Sequence, residues 1–190
     1  MRIAIDADQV LFDFLSTWHT VAENTLNREL VERNQSYHLM IRYSLSMVEY
    51  HRCWALFNRF NVWEDCPVIP DALEAVNTWL EADHEVFVIS AVDVEARKAR
   101  QRALDKLGLR QVRLMGVGFG GSKFDPLRIL KPEIFADDLW AHCREAVDAG
   151  VPRVVRIRGN HDGGGDPVPG VPVLESIGEM IVKQRNYRVG

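Results

Sequence analysis

The sequence is short of several things. Its 190 residues include three cysteines, Cys53, Cys66 and Cys143, an odd number with no CxxC pair. This argues against a disulfide framework, and a reducing compartment fits best. No apolar run approaches the roughly 18 to 20 residues of a membrane span. The start runs straight into a strand-like stretch with no signal-peptide pattern, so the expectation is a cytoplasmic protein with no membrane partner. No long basic tract occurs and the formal net charge is -4, which argues against general nucleic-acid binding. Internal repeats, low-complexity segments and HExxH-type ligand sets are absent too. What remains, 47% hydrophobic and 26% charged residues, is the composition of a globular protein of one domain with a modest insertion.

Five short apolar runs rich in Val and Ile read as buried strands: RIAID (2–6), EVFVIS (85–90), VRLMGV (112–117), EIFADD (133–138) and RVVRI (153–157). Helical patterns separate most of them. One starts at Pro70 and Asp71, one runs from Asp93 to a stop at Gly108, and one ends at Gly150. This alternation predicts an α/β fold: a Rossmann-like, doubly wound parallel sheet with helices on both faces. Residues 14–70 contain no strand pattern and read as helices inserted after the first strand. The expected division is 1–13 and 71–190 as the α/β core and 14–70 as a helical cap. The Pro/Gly-rich GNHDGGGDPVPG (159–170) reads as a surface loop.

Open parallel sheets bind ligands beyond the carboxyl ends of their strands. The first strand ends at Asp6 with Asp8 just beyond, the second at Ser90, and the fourth at Asp137 and Asp138. The third runs into GVGFGGSK, which carries Lys123. Gathered at one edge, four carboxylates repel strongly: about 4 kcal/mol per pair at ~4 Å and an effective dielectric near 20. One lysine does not offset four carboxylates. A divalent cation does, and an all-oxygen donor set favours Mg²⁺ that also takes phosphate oxygens. The substrate expected is a small phosphorylated molecule. Asp6 is placed to attack phosphorus and Asp8 to move protons to the leaving group and from water. Ser90, the backbone after it at Ala91, and Lys123 would bind the phosphate.

These residues, in this order, resemble the four motifs of the haloacid dehalogenase (HAD) superfamily of phosphohydrolases: DADQV, Ser90, Lys123 and the DD pair. The resemblance covers most of residues 1–140. It implies a HAD-like core with a cap, Asp6 as nucleophile and Asp8 as general acid/base. It implies a Mg²⁺ held by Asp6, the backbone carbonyl of Asp8, and Asp137, with Asp138 supporting the metal shell. VLFDF, the cap position and the DD form are most similar to the 5'(3')-deoxyribonucleotidase-like branch, which implies a nucleotidase. Two positions depart from the family pattern. Gln9 stands where glycine is usual, and Ser90 where many relatives carry threonine.

Several neighbouring readings compete. Lys131 also precedes the DD strand, but it lies at that strand's amino end, roughly 16 Å from the active edge at ~3.3 Å per residue. GVGFGGSK lacks the Gly-Lys-Ser/Thr ending of a P-loop. GNHD resembles a block of calcineurin-like metallophosphoesterases, but no histidine follows His161, so His161 is expected to be exposed. Asp13 is expected to cap a helix. Tyr43, Met47, Tyr50, Trp54 and Phe57 recur at helical spacing, chiefly as cap packing. The alternative reading of that set, Trp54 included, is an aromatic wall over a base or sugar, for which Phe14 and Trp18 are alternative candidates. His19, His51 and His142 receive no role. A metal-free dehalogenase is disfavoured by Asp8 and the DD pair. The alternatives left open are a phosphotransferase using the same aspartyl-phosphate and a non-catalytic phosphate- or protein-binding module.

Overall fold

The computed structural model describes residues 1–59 and 62–181. Positions 60 and 61 of the expected cap, and 182–190 of the expected core, lie outside the described residues. The expected strands form as β1 (Arg2–Ile5), β2 (Glu85–Ser90), β3 (Arg113–Gly116), β4 (Ile134–Asp137) and β5 (Arg153–Ile157). A two-residue β6 (Val173–Leu174) joins them. The sheet order is β3-β2-β1-β4-β5-β6, and every pair is parallel. Chain order reverses between β1 and β4, which creates the crevice where such sheets bind ligands.

Strand alternation splits the core in two. Ile3, Ile5, Val86, Val88, Ile134 and Ala136 belong to one hydrophobic cluster, and Ala4, Phe87, Ile89 and Phe135 to the other. On the first face pack α4 (Pro70–Glu81) and α5 (Val94–Lys106), through Ala72, Ala75, Val76, Trp79 and Ala96, Ala99, Ala103. On the second pack α6 (Phe124–Leu130) and α7 (Trp140–Asp148), through Leu127, Cys143 and Ala146. The 3–4 spacing of these residues is why each helix buries one face. Pro70 opens α4, and the Asp93 side chain caps α5 by accepting the Ala96 N–H at 2.8 Å.

Between β1 and β2 the chain forms α1 (Phe14–Leu26), α2 (Leu39–Arg42), α3 (Met47–Arg59) and a 3-10 turn at Val62–Glu64. Asp13 caps α1 as expected, accepting the Ser16 N–H at 3.2 Å. Trp18, Phe57 and Trp63 extend the first cluster into this insertion. Its two connections run side by side. Phe12 bridges Val68 antiparallel, Asp13 N–H donates to Pro67 O (2.8 Å), and Ile69 N–H donates to Leu11 O (2.9 Å). The three cysteines are free and buried. Among the described residues no helix is long and apolar enough to cross a membrane.

Candidate active site

β1 and β4 pair through Ile5↔Ala136, and the Asp6 N–H donates to Ala136 O at 2.9 Å. The carboxyl ends of these two central strands thus deliver Asp6, Asp137 and Asp138 together. After β3 the chain turns sharply. A Cβ on Gly121 would lie 2.1 Å from Val117 O, so only glycine fits there. The turn brings Lys123 back over the edge, where its N–H donates to Glu145 Oε2 (2.8 Å). Its ammonium is fully buried and donates to Asp6 Oδ1 and to Asp137 Oδ2, the latter at 2.7 Å. Lys131 is exposed beyond α6, beside the strand starts, where Glu133 N–H meets Arg2 O.

One carboxylate oxygen from each of Asp6, Asp137 and Asp138 lies within 4.8 Å of the others. Burial, acting against Lys123 and helped by Asp137, Asp138 and Asp8, pushes Asp6 up to about 8. Burial and then Asp137 likewise hold Asp138 well above the carboxylate range. Burial would raise Asp137 as well, but Lys123 and His142 outweigh it and keep that carboxyl below its usual range. The same partners act in reverse. Burial disfavours the Lys123 ammonium, yet Asp137 and Asp6 hold it above the ordinary lysine range. A buried set of hard oxygen donors sharing one ammonium fits a small divalent cation. Ser90 fits a phosphate equally well. It is fully buried at the end of β2, and its Oγ has no hydrogen-bond partner among the described residues.

Asp8 lies apart from that triad. Its N–H donates to Asp6 Oδ2 (3.1 Å), while its carboxylate pairs with the guanidinium of Arg100 on α5. Arg100 is fully buried. It also donates to Trp63 O (2.7 Å) and lies over the rings of Phe12 (4.6 Å) and Trp63 (5.1 Å). The sequence reading missed it, though Ala96, Ala99, Ala103 and Leu104 already place position 100 on the buried face, where a charge demands a partner. Gln9, where the resemblance implied glycine, has φ at 59°, in the left-handed region that favours glycine. The left-handed conformation costs roughly 1–2 kcal/mol, offset in part because Gln9 Oε1 accepts the Leu15 N–H at 3.0 Å.

Two expectations need correcting. His161 is not exposed. Its Nε2 meets Asp138 Oδ2 at 2.6 Å and its Nδ1 accepts the Gly163 N–H at 2.9 Å, so both ring nitrogens are satisfied inside the protein. Burial first, then Arg156, lowers the ring to about 4. Counting histidine ligands overlooked a histidine that hydrogen-bonds a carboxylate. Trp18 is fully buried, stacks on Tyr43 at 5.7 Å, and does not line the cavity over the site. Helical spacing marks a buried face without revealing what lies against it. His142, given no role, places Nδ1 3.3 Å from Asp137 Oδ1.

A cavity of about 420 Å³ opens above Asp6, Asp8 and Asp138. Phe14, Tyr50, Trp54 and Ala91 line it. Met47 is exposed instead, and Phe57 is buried beneath Phe14 and Trp54. Tyr37 and His38, from a non-helical stretch with no periodicity to reveal it, also line the cavity. So does Phe119, 74% exposed, whose ring lies 6.0 Å from Trp54.

No family model matches the sequence, and no curated protein matches it. Solved structures do resemble it. CbbY from Rhodobacter sphaeroides, in complex with phosphate, superposes with a TM-score of 0.62 at 14% identity over 94% of this chain and 95% of its own. A predicted phosphoglycolate phosphatase from Haemophilus somnus gives 0.66 at 13% identity over 96% of each chain. A HAD family hydrolase from Deinococcus radiodurans, with bound phosphate and sodium, gives 0.66 at 15% identity over 97% of this chain and 95% of its own. At such identities the likeness is one of architecture, and the chain has the Rossmann-like α/β fold of the HAD superfamily.

Proposed function

We propose that the protein is a Mg²⁺-dependent phosphomonoester hydrolase that works through an aspartyl-phosphate on Asp6. One observation carries this reading: the buried Lys123 ammonium bridges Asp6 and Asp137 beneath the cavity, at the crevice between β1 and β4. The phosphate held by CbbY and by the D. radiodurans hydrolase, on the same fold, supports it.

Asp6, Asp137, the Asp8 backbone carbonyl and, in support, Asp138 would hold the metal. Bound there, Mg²⁺ would neutralise carboxylate and phosphate charge and keep Asp6 ionised. Lys123, Ser90 Oγ and the Ala91 backbone would bind the phosphoryl oxygens. An Asp6 oxygen attacks phosphorus while the bond to the leaving oxygen breaks, and Asp8 gives that oxygen its proton. Asp8 then takes a proton from water, whose oxygen attacks phosphorus. The bond to Asp6 breaks and inorganic phosphate leaves. Asp8 already lines the cavity, and its carboxylate bonds Arg100 through Oδ1, which leaves Oδ2 for these proton steps.

Residues 14–70 act in this reading as the cap, with 1–13 and 71–190 as the core and the cytoplasm as its place of action. Phe14, Tyr50, Trp54 and Phe119 line the cavity with aromatic rings, which favours a nucleoside monophosphate as substrate. The test is phosphate release from nucleotides, sugar phosphates and phosphorylated amino acids, in Mg²⁺ and in EDTA. Turnover of a nucleoside monophosphate, abolished by EDTA and by Asp6→Asn, is the expected result. Undiminished release by Asp6→Asn would overturn the covalent route.

A further inference from the structure

The GNHDGGG stretch is a surface loop, as its composition implies, with Asn160, Asp162, Gly164 and Gly165 exposed, but it turns His161 and Gly163 inward behind Asp138. The Gly163 N–H donates to His161 Nδ1 (2.9 Å), which leaves the ring proton on Nε2. That N–H therefore donates to Asp138 Oδ2 (2.6 Å). Arg156 of β5 closes the arrangement, donating from Nε to Asp138 O (3.2 Å) and from Nη2 to His161 O (3.1 Å). A Cβ on Gly163 would lie 2.7 Å from Arg156 Nη2 and 2.8 Å from Trp140 Cδ1, so glycine is required where the loop passes. The cap side holds the loop as well. Asp162 Oδ1 accepts the Tyr37 N–H (3.1 Å), Asp162 N–H donates to Gln35 O (2.7 Å), and Arg42 donates to Asn160 O.

We propose that His161 is a positioning residue for the metal shell: its Nε2–H fixes the Asp138 carboxylate so that the triad is arranged for a divalent cation before that cation arrives. This rests on the phosphohydrolase reading for its purpose. Its physical content is narrower, namely that the His161 hydrogen bond sets metal affinity. A carboxylate held by one donor cannot swing away, and such supporting hydrogen bonds are worth about 10–100-fold in metal affinity.

The experiment titrates Mg²⁺ alone into wild type, His161→Leu, His161→Gln and His161→Asn by calorimetry, with thermal unfolding of each run alongside. Gln keeps an N–H near the position of Nε2, Leu keeps bulk without a donor, and Asn carries a donor too short to reach Asp138. The expected result is Mg²⁺ binding about 10–100-fold weaker in the Leu and Asn variants, with Gln close to wild type. Should His161→Leu fail to fold, the Gln–Asn pair makes the same comparison between two amides. Wild-type affinity in the folded Leu or Asn variant overturns the proposal. So does equal weakening in Gln and Asn. A wild type that binds no Mg²⁺ overturns both the metal assignment and the role of His161. A wild type that binds Mg²⁺ in a His161-dependent way, yet hydrolyses no phosphomonoester, upholds His161 while refuting the hydrolase.

Discussion

Replacing Arg100 by methionine should destabilise the fold more than almost any other single change at the site. The guanidinium is fully buried, bonded to the Asp8 carboxylate and to Trp63 O, and covered by two aromatic rings. A hydrogen bond to a charged group is worth about 1.5–3 kcal/mol, and an orphaned buried carbonyl costs about 1–3 kcal/mol. Losing one partner of a buried ion pair typically costs about 3–5 kcal/mol. Here Asp8 retains 24% side-chain exposure, so water can take over part of its solvation. The expected loss is therefore at the lower end, about 3 kcal/mol, or roughly 6–12 °C in Tm for a chain of this size. Urea unfolding of wild type, Asp8→Asn, Arg100→Met and the double variant measures it. The two single losses should overlap by about 1.5–3 kcal/mol, the value of the shared bond. A loss below about 1 kcal/mol for Arg100→Met, or fully additive singles, would refute the claim that the pair is a structural anchor.

Ser90→Ala should leave unfolding free energy unchanged or slightly higher, because the buried Oγ has no partner to lose. Phosphate release should nevertheless fall by about 10²–10³ if that hydroxyl holds a phosphoryl oxygen. Lys123→Ala should lower release at least as far, whereas Lys131→Ala, at the opposite edge, should match wild type in the same assay. Asp13→Ala removes the α1 cap and should cost about 1 kcal/mol in urea unfolding. Asp162 is held below its usual range, first by the Gly164 N–H and further by the Tyr37 N–H. Its folded value is thus lower than its unfolded one. The stability it contributes is complete above 3.8 and is lost as pH falls through the lowered value. Asp162→Asn should accordingly lose less stability than wild type on acidification below about pH 4, measured by urea unfolding across that range.

Strands, sheet class and the gathering of polar residues at one sheet edge were legible because they depend on local pattern: apolar runs of strand length, a polar residue beyond the carboxyl end, helices between. The β2 and β5 boundaries match the sequence expectation residue for residue. β6 was not visible because two residues between prolines and glycines carry no period. What pattern cannot supply is the identity of the neighbour. Arg100 and His161 were missed or misplaced because their partners, Asp8 and Asp138, lie 92 and 23 residues away. Trp18 was a wall candidate for the same reason, but it packs on Tyr43 inside the insertion. Gln9 shows the converse. It stands where the resemblance implied glycine, yet it takes a left-handed backbone and its side chain helps offset the strain.

The joint at Leu11–Asp13 and Pro67–Ile69 has a consequence for how the chain can fold and change. The insertion leaves and re-enters the core at one doorway, closed by backbone hydrogen bonds that involve no particular side chain. Once that doorway closes, β1 and β2 are near neighbours whatever lies between Phe14 and Cys66. Loop-closure entropy grows only slowly with length, so the sheet is nearly indifferent to the size of what is inserted. Selection can thus remodel the chamber above Asp6 by exchanging the entire insertion, leaving the register of the central strands untouched.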